Sequence, residues 1–202
     1  MKIFRMNDRI FNLLAVIFLL FSSPLKAQTL HYDVILFGGD AGDASMKRTI
    51  NGNKETYLLE TYTEVNMVVT KRKDTYIGKL EIENGIVQKI EVEGSKNGKK
   101  NLWCYTSKYP EGYKVENEKN GLSTIAGEIK NTTYSMFYKE PTSISQVFSE
   151  RWGKFFSIAK DGDHVYKMET VGKEYFKYKY SNGAMIEIEF PTPLGKGYFR
   201  KK

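Results

Sequence analysis

Thr75–Val92 reads TYIGKLEIENGIVQKIEV. Apolar and charged residues alternate on both sides of Asn84-Gly85, the pattern of two half-buried strands joined by a tight turn. The apolar positions are Tyr76, Leu80 and Ile82 before the turn and Ile86, Ile90 and Val92 after it, and all of them are even-numbered. A two-residue loop pairs even with odd positions and sets one apolar row against a charged one. A three-residue loop, Glu83-Asn84-Gly85, instead pairs Ile82 with Ile86 and Tyr76 with Val92. Gly85 then occupies the left-handed position that ends such a loop. The expectation is a three-residue hairpin, with Lys79 set opposite Lys89.

The same reasoning extends along the chain. Lys96-Asn97-Gly98 as a loop places Val92 opposite Leu102 and Ile90 opposite Cys104. Lys160-Asp161-Gly162 places Ile158 opposite His164 and Phe156 opposite Tyr166. Ser181-Asn182-Gly183 places Tyr178 opposite Ile186, Phe176 opposite Ile188 and Lys177 opposite Glu187, an attractive cross-strand pair. Further strands are expected at Leu30–Phe37, Met46–Ile50, Thr56–Lys71, Tyr113–Glu116 and Leu122–Ile129, with a turn or bulge at Gly38–Asp43. Each hairpin carries one apolar row and one row rich in Lys, Glu, Thr and Gln, so the sheet has a wet face and a dry face. The dry face must be covered by more protein or by a ligand.

One stretch breaks the pattern. In Asn131–Phe156, NTTYSMFYKEPTSISQVFSERWGKFF, Thr132–Tyr138 reads as a strand that Glu140-Pro141 stops, because proline cannot donate to a ladder. Ser143 and Gln146 then form a capping-box pattern. Ile144, Val147, Phe148 and Arg151 recur at helical spacing, and Gly153 stands where a helix would end. The fold class expected is therefore all-β: a curved antiparallel sheet, half-barrel or open barrel, built of hairpins, with one short helix near 143–152.

The opening residues read as an export signal. Lys2, Arg5 and Arg9 precede the apolar run Ile10–Phe21, and Leu25-Lys26-Ala27 offers a cleavage point before Gln28. The run is too short for a spanning helix, which needs about twenty residues. Residues 1–27 are expected to be a signal peptide and 28–202 a single β domain, exported to the periplasm or beyond, with membrane contact only through the uncleaved leader. The formal charge of +7, less four basic residues and one acidic one lost with the leader, leaves +4. Its lysines are spread among glutamates, which argues against nucleic acid as a partner. Cys104 is the only cysteine and His31 and His164 the only histidines, so neither a disulfide nor a zinc-type ligand set is expected.

With these residues laid out, the chain resembles an uncharacterised family of exported bacterial proteins of unknown function. The matching pieces are Tyr32-Asp33-Val34, the Gly38/Gly42 region with Arg48, Gly78-Lys79-Leu80, Tyr138-Lys139-Glu140-Pro141, Val147-Phe148-Ser149-Glu150 with Gly153, and the hairpin Tyr178-x-Tyr180-x-Asn182-Gly183. It is also distantly similar to the half-barrels of periplasmic lipoprotein carriers. That resemblance implies a half-barrel and a Gram-negative envelope location, and no activity. Ala41-Gly42-Asp43-Ala44 departs from the plainer glycine loop of many such proteins, so no functional residue is carried over.

The function expected is non-enzymatic: an envelope protein whose sheet binds a lipid or other apolar ligand, or an envelope partner, without cofactor or metal. The central interruption supplies the candidate ligand-binding residues Tyr138, Glu140, Phe148, Ser149, Glu150, Arg151 and Trp152, with Glu150 at the rim. Aromatics between Tyr134 and Phe199 either pack the core or line a cavity. Two alternatives stand beside this reading: a hydrolase using Glu140 and Glu150 as paired carboxylates, and a purely structural interaction module.

Overall fold

The computed structural model describes residues 25–66, 71–193 and 195–202. The leader expected at residues 1–27 lies outside the described residues except for its last three. Fourteen antiparallel strands follow: β1 Lys26–Leu36, β2 Gly39–Asn51, β3 Lys54–Asn66, β4 Lys71–Glu83, β5 Ile86–Lys96, β6 Lys99–Tyr109, β7 Gly112–Asn117, β8 Gly121–Ala126, β9 Gln146–Ser149, β10 Lys154–Gly162, β11 Val165–Glu169, β12 Tyr175–Ser181, β13 Ala184–Thr192 and β14 Gly195–Lys201. They form one open, curved sheet in the order β8-β7-β6-β5-β4-β3-β2-β1-β14-β13-β12-β11-β10-β9. Two meanders thus meet in the middle, where β1 pairs with β14 through Val34 opposite Phe199. The outer strands β8 and β9 are joined by the connection 127–145.

Beyond the bulges the parity of the hairpins is as expected, but next to the turns it is inverted. Val87 and Met185 are buried opposite Ile82 and Tyr180, where Ile86 and Ile186 are expected in the apolar row. Asn84-Gly85, Asn97-Gly98 and Asn182-Gly183 are two-residue loops with positive φ at both positions, 53° and 74° in the first, the backbone a right-twisted hairpin favours. Each is followed by a one-residue register shift, between Glu81 and Ile82, Gly94 and Ser95, and Lys179 and Tyr180. The bulge, not a third loop residue, restores even-to-even pairing. It places Leu80 opposite Ile90 and Val92 opposite Cys104, two residues from the expected partners. The fourth hairpin turns at Asp163-His164 and sets Ile158 opposite Met168.

This register also resolves the charges. Lys79 faces Glu91 and Glu81 faces Lys89, while Lys179 faces Glu187 at 2.5 Å. Lys177 faces Glu189 and ion-pairs with Asp161 at 2.7 Å. Bulges add local twist, and four of them help to curl a long sheet that is flat only at some cost. The glycine region beyond Phe37 also holds a bulge, between Val34 and Ile35 on the facing strand.

The dry face is covered by the connection itself. Ile129, Tyr134, Met136 and Phe137 are buried in the same core as Tyr32, Leu80 and Ile188. Tyr32 meets Phe137 edge-on at 5.5 Å, and Tyr180 donates to Met136 O at 3.1 Å. No helix forms near 143–152. Gln146–Ser149 is strand β9, paired with β10 through Phe148 opposite Phe155, and on its other side Phe148 exchanges backbone bonds with Asn131 and Thr133 at 2.9 and 3.0 Å. Two ladders outweigh a two-turn helix, which is marginal in isolation. Gly153, at φ 61°, donates to Ser149 O at 2.9 Å and closes the β9–β10 turn.

Thr132–Tyr138 is not a strand either. Only Thr132 makes a bridge, parallel to Phe148, and Ser135–Phe137 is a 3-10 turn. Ser135 Oγ donates to Thr132 O at 2.7 Å and Ser135 N to Thr132 Oγ1 at 3.2 Å, local bonds that compete with a ladder. The Tyr134 ring lands over Gly78, where an added Cβ would collide with its hydroxyl. Gly78→Ala is accordingly expected to cost about 1–3 kcal/mol by overpacking. In a background already carrying Tyr134→Ala the same change should cost little, a coupling that urea melts of the four proteins would read.

Candidate functional site

The half-barrel encloses a cleft of about 420 Å³. Its walls come from both meanders: Val34 and Leu36 on β1, Leu59 to Val65 on β3, Tyr76 on β4, and Met168, Tyr178, Ile188, Phe190 and Phe199 on β11 to β14. Its floor is the connection and the turn after β9, through Thr133, Tyr134, Phe137, Ser149, Arg151 and Trp152. Alternation puts every second residue of a strand inside, so each wall strand can be followed toward one end of the barrel. On β3 the sequence outward is Leu59, Thr61, Thr63; on β4 it is Tyr76, Asp74, Arg72; on β13 it is Ile188, Phe190, Thr192; into β12 it is Tyr178, Phe176, Glu174. The walls are mainly apolar, with charged residues at the outer positions of β4 and before β12 and Val65 at the outer position of β3.

Two features mark the mouth at that end. Arg72 pairs with Asp74 at 2.6 Å, yet Arg72 Nε, Asp74 Oδ1 and Thr192 Oγ1 are buried atoms without a hydrogen-bond partner among the described residues. Phe37, in the β1–β2 turn, has φ 54°, takes the position that Asn fills in three other hairpins, and is 46% exposed. A bulky residue in the left-handed region is a strained outlier.

The candidate residues divide. Ser149, Arg151 and Trp152 line the cleft. Trp152 packs edge-on against Phe156 and Phe176 at 5.5 and 5.7 Å, and the Arg151 guanidinium lies 5.1 Å from the Trp152 ring centre. Phe148 is fully buried beneath. Tyr138 and Glu140 belong to the opposite end of the barrel. The Tyr138 hydroxyl lies 2.5 Å from Met46 O and 3.0 Å from Gln28 O. Glu140 accepts from Tyr166 at 2.8 Å and sits 3.1 Å from His164 Nδ1, so His164 is an exposed turn residue and not a member of the apolar row.

Glu150 is not at the rim. It is fully buried, accepts the Tyr134 N–H at 2.9 Å and is hydrogen-bonded by Thr133 Oγ1. The two carboxylates thus belong to separate clusters among the described residues, Glu140 with Tyr166 and His164 and Glu150 with Thr133 and Tyr134. Among the described residues no three His, Cys, Asp or Glu side chains gather to hold a metal ion. Cys104 is buried, and desolvation pushes its thiol up to about 12, as its place in the apolar row predicts.

Sequence reasoning missed Arg72, Asp74 and Thr63 as lining residues. The signal was present, because the even-numbered inner row of β4 continues from Tyr76 back through Asp74 and Arg72. Reading that row only for apolar residues stopped it too soon.

Residues 32–202 match the model of a domain of unknown function, DUF6134. No curated protein matches the chain. Among solved structures, a beta-barrel-like protein of domain of unknown function DUF1849 from Brucella abortus is similar at 11% identity and a TM-score of 0.52, over 90% of this chain and 97% of that one. At that identity the likeness is one of fold.

Burial raises the Glu150 carboxyl to about 7, partly offset by the bonds from Thr133 and Tyr134. A carboxyl raised on folding adds stability below its unfolded value of 4.5, and that contribution is lost as pH rises toward 7. Thermal midpoints should thus fall from pH 5 to pH 8, by an amount of order 3 kcal/mol in stability at most. Glu150→Gln, which keeps the shape without the charge, should flatten that profile.

Proposed function

The chain belongs to the DUF6134 family, and we propose that this member is a non-catalytic envelope protein that holds an apolar or amphipathic molecule, a lipid in the first instance, inside its half-barrel. The observation that carries this reading is a cleft with mainly apolar walls and a few placed polar groups, Arg72, Asp74 and Thr192 at outer strand positions and Arg151 on the floor. Pockets that bind small molecules are mostly apolar with a few placed polar groups, and span roughly 300–1,000 Å³. The cleft, at about 420 Å³, falls within that range.

Three further points support it. The sheet is a curved half-barrel, the shape expected from the resemblance to periplasmic lipoprotein carriers. The basic and apolar opening of the chain favours export. Phe37 keeps an exposed aromatic at the mouth in a backbone position that resists it, and strain of that kind gathers at ligand-contacting segments.

Native mass spectrometry of the purified protein tests the reading. A retained lipid or detergent-sized adduct is expected on the wild type. Thr61→Trp, which fills the cleft from β3, should remove it while leaving the far-ultraviolet circular dichroism of the sheet unchanged. A wild type that neither carries an adduct nor takes up the uncharged probe N-phenyl-1-naphthylamine would leave the interaction-module alternative in its place.

A further inference from the structure

We propose that the occupant of the cleft is a single-chain amphiphile with an anionic head, and that Arg151 reads that head. The inference rests on the function just proposed and adds the chemistry of the ligand. Four charged side chains reach the lining: Arg72, Asp74, Arg151 and Glu174. Arg72 and Asp74 pair at 2.6 Å and balance one another's charge on β4, although Arg72 Nε and Asp74 Oδ1 have no hydrogen-bond partner among the described residues. Arg151 is different. Its guanidinium rests on the indole of Trp152 and pairs with no carboxylate among the described residues, so its fork of donors is open to a ligand.

Arg151 is an exposed residue that contributes to the same lining as Tyr76 and Tyr134, whose hydroxyls share a hydrogen bond of 2.7 Å. Glu174, the remaining carboxylate, stands on the connection before β12 and is exposed like Arg151; of the two, Arg151 is the one held against an aromatic face. A planar guanidinium stacked on an aromatic ring is held ready for two parallel bonds to a carboxylate or phosphate oxygen pair. In the same cleft Phe137, Met168, Tyr178 and Phe199 offer an apolar surface for the tail. The cleft volume is near the lower bound for small-molecule pockets, which favours one chain over two.

Displacement of N-phenyl-1-naphthylamine from the full chain separates the alternatives. The competitors are palmitate, hexadecyl phosphate, hexadecanol, hexadecyltrimethylammonium and dipalmitoyl phosphatidylglycerol. Palmitate or hexadecyl phosphate should displace the probe at least about tenfold more tightly than hexadecanol, the size of a charge-assisted contact, and which of the two wins identifies the head. Arg151→Gln should erase that advantage with hexadecanol affinity unchanged, and Arg151→Lys should keep part of it. Equal binding of palmitate and hexadecanol by the wild type, or an advantage that survives Arg151→Gln, overturns the role of Arg151. Preference for the trimethylammonium head or for the two-chain lipid overturns the ligand class. In each of those cases the cleft still binds an amphiphile; failure of every competitor and of the probe is the separate result that removes the binding function itself.

Discussion

The Glu150 carboxyl, sealed from solvent and holding the Tyr134 N–H at 2.9 Å and the Thr133 hydroxyl, ties the end of β9 to the connection that crosses the dry face. A curved sheet with no second sheet against it must bury its inner rows under its own chain. Here that cover is irregular backbone, whose polar groups need partners. Phe148 supplies two of them, Ser135 and Thr132 exchange two more, and the tyrosines Tyr113, Tyr138 and Tyr180 bond to backbone carbonyls of neighbouring segments. A carboxyl group is an expensive side chain to bury. Its retention at this point shows how much of the cover's position depends on one acceptor facing two donors.

The sheet was legible because strand periodicity is a local property. Parity along Tyr76–Val92 placed Leu80, Ile82, Ile90 and Val92 in one row, but next to the turn it chose Ile86 where Val87 faces the core. The loop lengths were not legible, since an Asn-Gly loop with an adjacent bulge and a three-residue loop give the same parity beyond the bulge and differ there only in register. Charge would have decided between them: the bulged register removes the Lys79–Lys89 opposition and gives Lys79 to Glu91. The central stretch was recognised as an interruption, but its form depends on contacts distant in sequence. Phe148 is a strand residue because Asn131 on one side and Phe155 on the other complete its hydrogen bonds, and helical spacing over eleven residues carries no trace of either.

The cleft is what the cover leaves open. Tyr134 fills the space above Gly78, and Phe137 packs against Tyr32, so the closed end of the barrel is solid. Toward Phe37 and the outer residues of β3, β4 and β13 the inner rows gain the polar groups Thr63, Arg72, Asp74 and Thr192 beside Val65. Binding capacity and structural cover are thus two parts of one surface, divided where the chain runs out of large side chains at Trp152.

The pairing of β1 with β14 has a consequence for how such a chain is made. The centre of the sheet joins residues near the two ends of the polypeptide, Tyr32 opposite Lys201 and Leu36 opposite Gly197, and the Lys202 ammonium bridges Asp33 and Asp43. Each meander is built of neighbouring hairpins and pays little loop entropy, whereas the seam between them closes a loop of more than 160 residues, the kind of contact that slows folding. A chain emerging N-terminus first would carry an unzipped β1 edge until its last strand arrived. Pulse-labelled hydrogen exchange should then protect the Phe199 amide after that of Leu80; simultaneous protection would mean that the two halves do not form before the seam.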